Sequence, residues 1–144
     1  MQQVDILYPV FVQVLLTFVV YGLLAIARAR AIASMGRQRS SAELALGRVA
    51  WPEDAQKRAA SQRNQFELPV LFYAVAGFAL ITRGVDVLML LLAWLFVLTR
   101  LVHAAIHVGP NRVRWRSPAF ALGLVLLAGM WLKLFLHVLG GGLA

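Results

Sequence analysis

The chain has 144 residues, of which 61% are hydrophobic and only 14% charged, with a mean hydropathy of +0.77. A soluble domain is about half apolar and a quarter charged, so an ordinary soluble globule, a disordered chain and a fibrous repeat are excluded. The net charge of +8 would suggest nucleic acid in a soluble protein, but here it reads as basic cytoplasmic loops, and the absence of Cys removes disulfides, thiolate metal sites and a cysteine nucleophile.

A membrane-spanning helix needs about 20 apolar residues. The first such run is Ile6 to Ala27, interrupted only by Pro9, Gln13 and Thr17. Pro9 falls in the first turn, where its missing N–H is tolerated. The segment before the run carries Asp5 and no Lys or Arg, which reads as a retained span rather than a cleaved signal peptide. A polar turn is expected at Met35–Ser41. Trp51-Pro52-Glu53-Asp54 then reads as a helix start, with Pro early and acids in the first turn. That helix is polar at first and apolar from Leu68 to Ile81, so its N-terminal end projects out of the bilayer. Thr82-Arg83-Gly84-Val85-Asp86 is a tight turn, Gly109-Pro110-Asn111 ends the third span, and Ser117-Pro118 reads as cap and first turn of the fourth. The expected architecture is a single all-α integral membrane domain over 1–144. Its spans lie at about 6–28, 64–82, 87–108 and 117–139, with a basic loop at about 29–63.

The first loop and its edges hold Arg28, Arg30, Arg37, Arg39, Arg48, Lys57, Arg58 and Arg63, and the third holds Arg112, Arg114 and Arg116. The second turn has only Arg83. The positive-inside rule places both basic loops in the cytoplasm and both termini on the opposite side.

Two groups of polar residues break the apolar pattern, where a charge at the bilayer centre costs about 2.5–3.5 kcal/mol or more. The first is Arg63-Asn64-Gln65-Phe66-Glu67-Leu68-Pro69. On a helix Arg63, Asn64 and Glu67 project from one sector, and Pro69 introduces a kink. The second is Arg100, His103 and His107, whose spacing places them on one stripe. A buried Arg needs an acidic or carbonyl partner. Glu67 is the carboxylate at matching depth, which predicts an Arg100–Glu67 contact. Two His beside an Arg, with no third neutral ligand, do not suit zinc, so no metal is expected. At least one of Arg114 and Arg116 is expected to turn toward this pocket, and a Ser117 hydroxyl at a helix N-terminus favours anions or a thiolate. Lys133 and His137, near the far face, are expected to snorkel. Trp51, Trp94 and Trp115 are read as packing or interfacial residues.

Such a pocket suits a ligand with net negative charge and one ammonium group. Glutathione has two carboxylates, one ammonium and a thiol, whose nucleophilic thiolate form an adjacent Arg favours. Anionic lipid head groups also fit.

The runs Arg63 to Pro69, Asn64 to Tyr73 (NQFELPVLFY), Arg100-Leu101-Val102-His103 and Arg114-Trp115-Arg116-Ser117 resemble the MAPEG proteins, the membrane-associated proteins in eicosanoid and glutathione metabolism, and their bacterial branch in particular. The resemblance covers the whole chain. It implies a left-handed four-helix bundle assembled as a homotrimer in the bacterial inner membrane, with glutathione as co-substrate between subunits and lipids or lipophilic small molecules as the other reactant. Carried over, Asn64 and Glu67 hold the peptide and its ammonium. Arg63 and one of Arg28 or Arg30 meet carboxylates, Arg100 braces Glu67, and His103 and His107 line the site. Arg114 or Arg116, with Ser117, lies near the sulfur. The chain departs from the family's enzymes at Ala60, where an Arg is usual, and at His107 and Phe120, where Tyr is often found.

Two readings follow. One is a glutathione-dependent transferase or peroxidase acting on lipophilic electrophiles or lipid hydroperoxides. The other is a non-catalytic membrane protein that binds lipid or a protein partner. A small channel or transporter half is disfavoured by the lack of a discontinuous-helix glycine pattern in the spans.

Overall fold

In a computed structural model the described residues are 2–34, 43, 46–47, 50–108 and 113–141, without the side chains at 113, 115 and 116. The turn expected at Met35–Ser41, the stop at Gly109-Pro110-Asn111, Arg112 and the Arg116 side chain lie outside them.

A 3-10 turn at Gln3–Ile6 leads into α1 (Leu7–Ser34). Gln2 and Asp5 close a reciprocal cap, the Gln2 N–H donating to Asp5 Oδ2 at 2.8 Å. Helix α2 (Glu53–Arg63) carries Pro52 at its N-cap and both acids in its first turn. A 3-10 turn, Asn64–Phe66, separates it from α3 (Leu68–Ile81). Helices α4 (Val87–Val108) and α5 (Val113–Leu139) complete the bundle and form its most extensive pair. The segments Gln3–Ser34, Glu53–Ile81, Val87–Val108 and Ser117–Leu139 are each long and apolar enough to cross a membrane, which makes this a multi-pass membrane protein.

The core runs along α3, α4 and α5. Phe72 and Phe96 stack with centroids 4.7 Å apart, in one buried cluster with Met89, Leu127, Met130 and Ile6. Much of the apolar outer surface of α1 and α5 stays exposed, including Phe11, Leu15, Phe18, Val125 and Phe135. In water this would be untenable, whereas lipid or a second copy solvates it at no cost.

The turn between α3 and α4 closes as a Schellman motif. The Gly84 N–H donates to the Ala79 carbonyl (2.8 Å) and the Arg83 N–H to the Leu80 carbonyl (3.3 Å). The left-handed residue is Arg83, at φ 55°, not the glycine that follows. Gly84 is needed for a different reason: a Cβ there would lie 2.7 Å from the His137 ring, whose Nε2 sits 3.0 Å from the Thr82 carbonyl. Arg83→Gly is therefore expected to stabilise the bundle by up to about 1 kcal/mol, by removing a left-handed non-glycine. Gly84→Ala is expected to cost about 1 kcal/mol as the imidazole swings away from its carbonyl. Thermal unfolding of both variants in detergent checks the opposite signs.

Lys133 does not reach out alone to the interface as expected. It pairs with Asp86 at 2.8 Å, and Asp86 also caps α4 by accepting from the Met89 N–H at 2.8 Å. Partial burial pushes the Asp86 carboxyl up, but the bonds from Lys133 and from the Met89 and Leu88 N–H groups outweigh it and hold the group below the usual carboxylate range. His137 likewise spends its ring on the Thr82 backbone. The Gln3 side chain joins the same end, exchanging two hydrogen bonds of 3.0 Å with the Val85 backbone.

Candidate functional site

Pro69 cannot donate to the carbonyl four residues earlier, so the helix that starts at Glu53 cannot run straight through the motif. The chain responds with the 3-10 turn at Asn64–Phe66 and a non-helical Glu67 (φ −93°, ψ −101°), which starts α3 with Pro69 at its N-terminus. The kink expected at Pro69 thus falls two to five residues earlier. It also breaks the shared sector predicted for Arg63, Asn64 and Glu67. A 3-10 turn alone would eclipse Asn64 and Glu67, so what parts them is the non-helical backbone of Glu67 itself. Asn64 turns inward, while Arg63 and Glu67 are both exposed and form no ion pair with each other.

Asn64 meets the α4 stripe directly. Its Nδ2 lies 3.4 Å from His103 Nε2 and 3.3 Å from His107 Nδ1. An amide nitrogen only donates, and an unprotonated ring nitrogen on either imidazole can accept from it. Both histidines are 3% exposed, and their rings stand at 77° with centroids 5.8 Å apart. The sequence stripe of Arg100, His103 and His107 is one buried line on α4, as expected.

Two cavities meet at this cluster. One, of about 470 Å³, is walled by His107, Arg28, Arg63, Lys57, Trp51 and Ala60 among others. The other, of about 260 Å³, is lined by Asn64, His103, Ser117 and Phe120. The Asn64 amide therefore bridges two histidines that each face a different cavity. Among the described residues the larger cavity is cationic: three of its side chains are Arg or Lys, against the one carboxylate of Glu53, and Glu53 is itself tied to Lys57 at 2.6 Å. The Arg28 guanidinium lies 5.2 Å from the Trp51 ring centre, which gives that tryptophan a positioning contact the sequence reading did not assign.

Arg100 is fully buried, and the expected ion pair with Glu67 is not made. None of its three guanidinium nitrogens has a hydrogen-bond partner, and Glu67 acts on it only through space. The reason is the break at Glu67, which carries the carboxylate outward just where a continuous helix would have turned it in. Arg100 is instead covered by the Phe120 ring, 5.6 Å away, and lies against Gly123.

The remaining expected residues divide. Arg28 joins the large cavity, whereas Arg30, two residues on and so on another face of α1, lines a separate groove between α1 and α2. Arg114 is exposed on the first turn of α5. Ser117 does line the smaller cavity, but it is not an N-cap. Helix α5 begins at Val113, so Ser117 sits in its second turn and Pro118 lies inside the helix. The thiolate-favouring argument from a helix end does not apply to it.

A buried contact that no local pattern announces holds the motif turn in place. Gln13, fully buried in α1, donates from Nε2 to Gln65 Oε1 at 3.0 Å, and Gln65 is buried as well. Nearby, the Gln62 amide donates to the Tyr21 hydroxyl at 2.8 Å, and Tyr21 meets Phe66 edge-on at 6.0 Å. The available signal was Gln13 itself, an amide in an otherwise apolar span, which needs a partner inside the bundle. Among the described residues no group of His, Asp and Glu is arranged to hold a metal ion.

No curated protein and no solved structure matches the chain. The profile of the MAPEG family matches residues 6–136, which takes in all four spans, the bridging Asn64, the α4 stripe and the cavity walls. The chain belongs to the MAPEG family.

Proposed function

We propose that this protein is a glutathione-dependent membrane enzyme that conjugates or reduces lipophilic electrophiles or lipid hydroperoxides. MAPEG proteins are often glutathione-dependent enzymes. The observation that carries the reading for this chain is the pair of cavities meeting at Asn64, one cationic and one partly apolar. In this reading Arg28 and Arg63 meet glutathione carboxylates and Lys57 adds to the positive field. Asn64 and Glu67 take the peptide and its ammonium. His103 and His107 hold the Asn64 amide in register, and Arg100 fixes the field behind it. The lipophilic reactant lies against Phe120 in the smaller cavity, beside Ser117.

The nucleophile is the glutathione thiolate. A cation beside the sulfur lowers the thiol pKa from about 8.5 and raises the reactive fraction at neutral pH. Arg116, on the first turns of α5 next to Ser117 in sequence, takes that role, with Arg114 as its neighbour toward the basic loop. In conjugation the sulfur forms a bond to an electrophilic carbon, the leaving group departs with its electron pair, and the thiol proton passes to solvent. The family's homotrimer supplies the second wall of the site.

Arg116→Ala is expected to lower turnover of a chlorodinitrobenzene-type electrophile about 100-fold, within the range for a lost electrostatic stabiliser. Glutathione binding should weaken far less. Steady-state kinetics beside calorimetry separates the two effects, and equal turnover in the variant removes Arg116 from the mechanism.

Ala60 favours one other reading. It places a methyl group on the wall of the large cavity, at the position where family enzymes usually carry Arg. A non-catalytic protein that binds lipid or a protein partner would keep the fold and show no glutathione-dependent turnover with any electrophile.

A further inference from the structure

Outside the site above, one groove combines an apolar wall, a fork of cations and a place at the edge of a membrane span. It lies between α1 and α2, where Ala27, Ala31 and Ala55 are all buried and let the two helices approach closely. Two adjoining cavities, of about 100 and 280 Å³, share Ala27, Arg30 and Asp54 in their walls. The smaller is also lined by Leu23, Ile26 and Arg58, the larger by Ser34.

The order of residues along α1 is that of an amphiphile. Leu23, Ile26, Ala27, Arg30 and Ser34 are spaced three, one, three and four apart and share one helix face. Apolar groups come first, then a guanidinium about 10 Å further along the axis, then a hydroxyl. Across the groove the Arg58 Nε–H is spent on both oxygens of Asp54, at 3.1 and 3.0 Å. Its terminal amino groups remain available for a second acceptor that presents two oxygens. Arg30 is exposed, and Arg58 is mostly covered. Among the described residues, two guanidinium groups and one carboxylate line the groove, a single net positive charge.

We infer that this groove binds the headgroup of an anionic phospholipid of the phosphatidylglycerol type. The phosphodiester lies between Arg30 and Arg58, its hydroxyl-bearing headgroup faces Asp54 and Ser34, and an acyl chain runs down Leu23 and Ile26. One phosphodiester charge balances the groove. A choline headgroup brings a bulky cation with no hydrogen-bond donor to Asp54, and so gains less. Within one subunit the groove is separate from the cavity proposed for glutathione, because Arg28 and Arg30 lie on different faces of α1 and line different cavities.

The test uses the full-length protein in a non-ionic detergent, titrated with dioleoyl phosphatidylglycerol or dioleoyl phosphatidylcholine and read by native mass spectrometry. The phosphatidylglycerol is expected to be retained preferentially. Arg30→Gln should lose about fivefold in its retention, as for one basic residue removed from an anionic headgroup. Arg30→Lys, which keeps the charge, should retain most of it, and Arg83→Gln, at the opposite end of the bundle, should retain all of it. Glycerol 3-phosphate and inorganic phosphate at equal concentration should not displace the lipid. Equal retention of the two lipids, undiminished binding in Arg30→Gln, or displacement by inorganic phosphate overturns the assignment, the last by making the groove a free-phosphate site. A change of oligomeric state in Arg30→Gln with lipid retention unchanged also overturns it, by making the groove a contact between copies.

Discussion

Replacing Arg100 with Met is expected to make the isolated bundle more resistant to unfolding, by about 1–4 kcal/mol. The guanidinium is fully buried, its three nitrogens have no hydrogen-bond partner, and it lies 5.6 Å from the centre of the Phe120 ring. A cation–π contact recovers about 2 kcal/mol when desolvated, while taking an ion out of water costs several kcal/mol. Met fills a similar volume without that cost and adapts to an irregular gap. The same variant should lose at least about tenfold in glutathione affinity, since a charge kept at a structural cost points to function. Thermal unfolding and calorimetry on one preparation test both halves. A loss of 3–5 kcal/mol instead would mean that Arg100 is already paired in the assembled protein, with Glu67 as the first partner to examine.

Gly123→Ala is expected to destabilise the bundle by about 1–3 kcal/mol through over-packing of the α4–α5 interface. A Cβ at Gly123 would stand 2.8 Å from Thr99 Oγ1 and 3.9 Å from the Arg100 side chain. Thr99 can yield only by rotating its hydroxyl away from the Phe96 carbonyl, to which it donates at 2.6 Å in a buried setting. The clash is local, so Thr99→Ala in the Gly123→Ala background should restore most of the loss. A double-mutant cycle measures this coupling, expected between about 0.5 and 3 kcal/mol. Additive losses would mean that the helices separate as rigid bodies and that the close approach at Gly123 is not what sets their distance.

The fold was legible because bilayer physics constrains it. Four apolar runs of the right length, interrupted by Arg83-Gly84 and by the basic stretches, lead to the helices observed, and the acids at Glu53 and Asp54 mark the start of α2. The histidine stripe was legible for the same reason, since three polar residues at helical spacing in one span must face inward. What could not be read was how the helix yields at Pro69. Helical periodicity would hold only if Arg63 to Glu67 were one regular helix, but Glu67 is non-helical and exposed, so it does not meet Arg100, and Asn64 meets the histidines instead. Ser117 failed for a related reason. Ser-Pro is the usual signature of a helix start, yet α5 begins a turn earlier at Val113 and tolerates Pro118 near its N-terminus. Gln13 and Gln65 are 52 residues apart in the chain, and their pairing is a tertiary fact that no local pattern encodes.

In the proposed function, the Asn64 cluster and the cationic cavity beside it hold glutathione. The most direct test is calorimetric titration of the detergent-solubilised wild type with glutathione, beside Asn64→Ala. The account predicts saturable binding to the wild type, weakened at least about tenfold in the variant, as for a lost hydrogen bond to a charged or buried group. Heat indistinguishable from dilution with a well-folded wild type, or equal affinity in the two proteins, would contradict it.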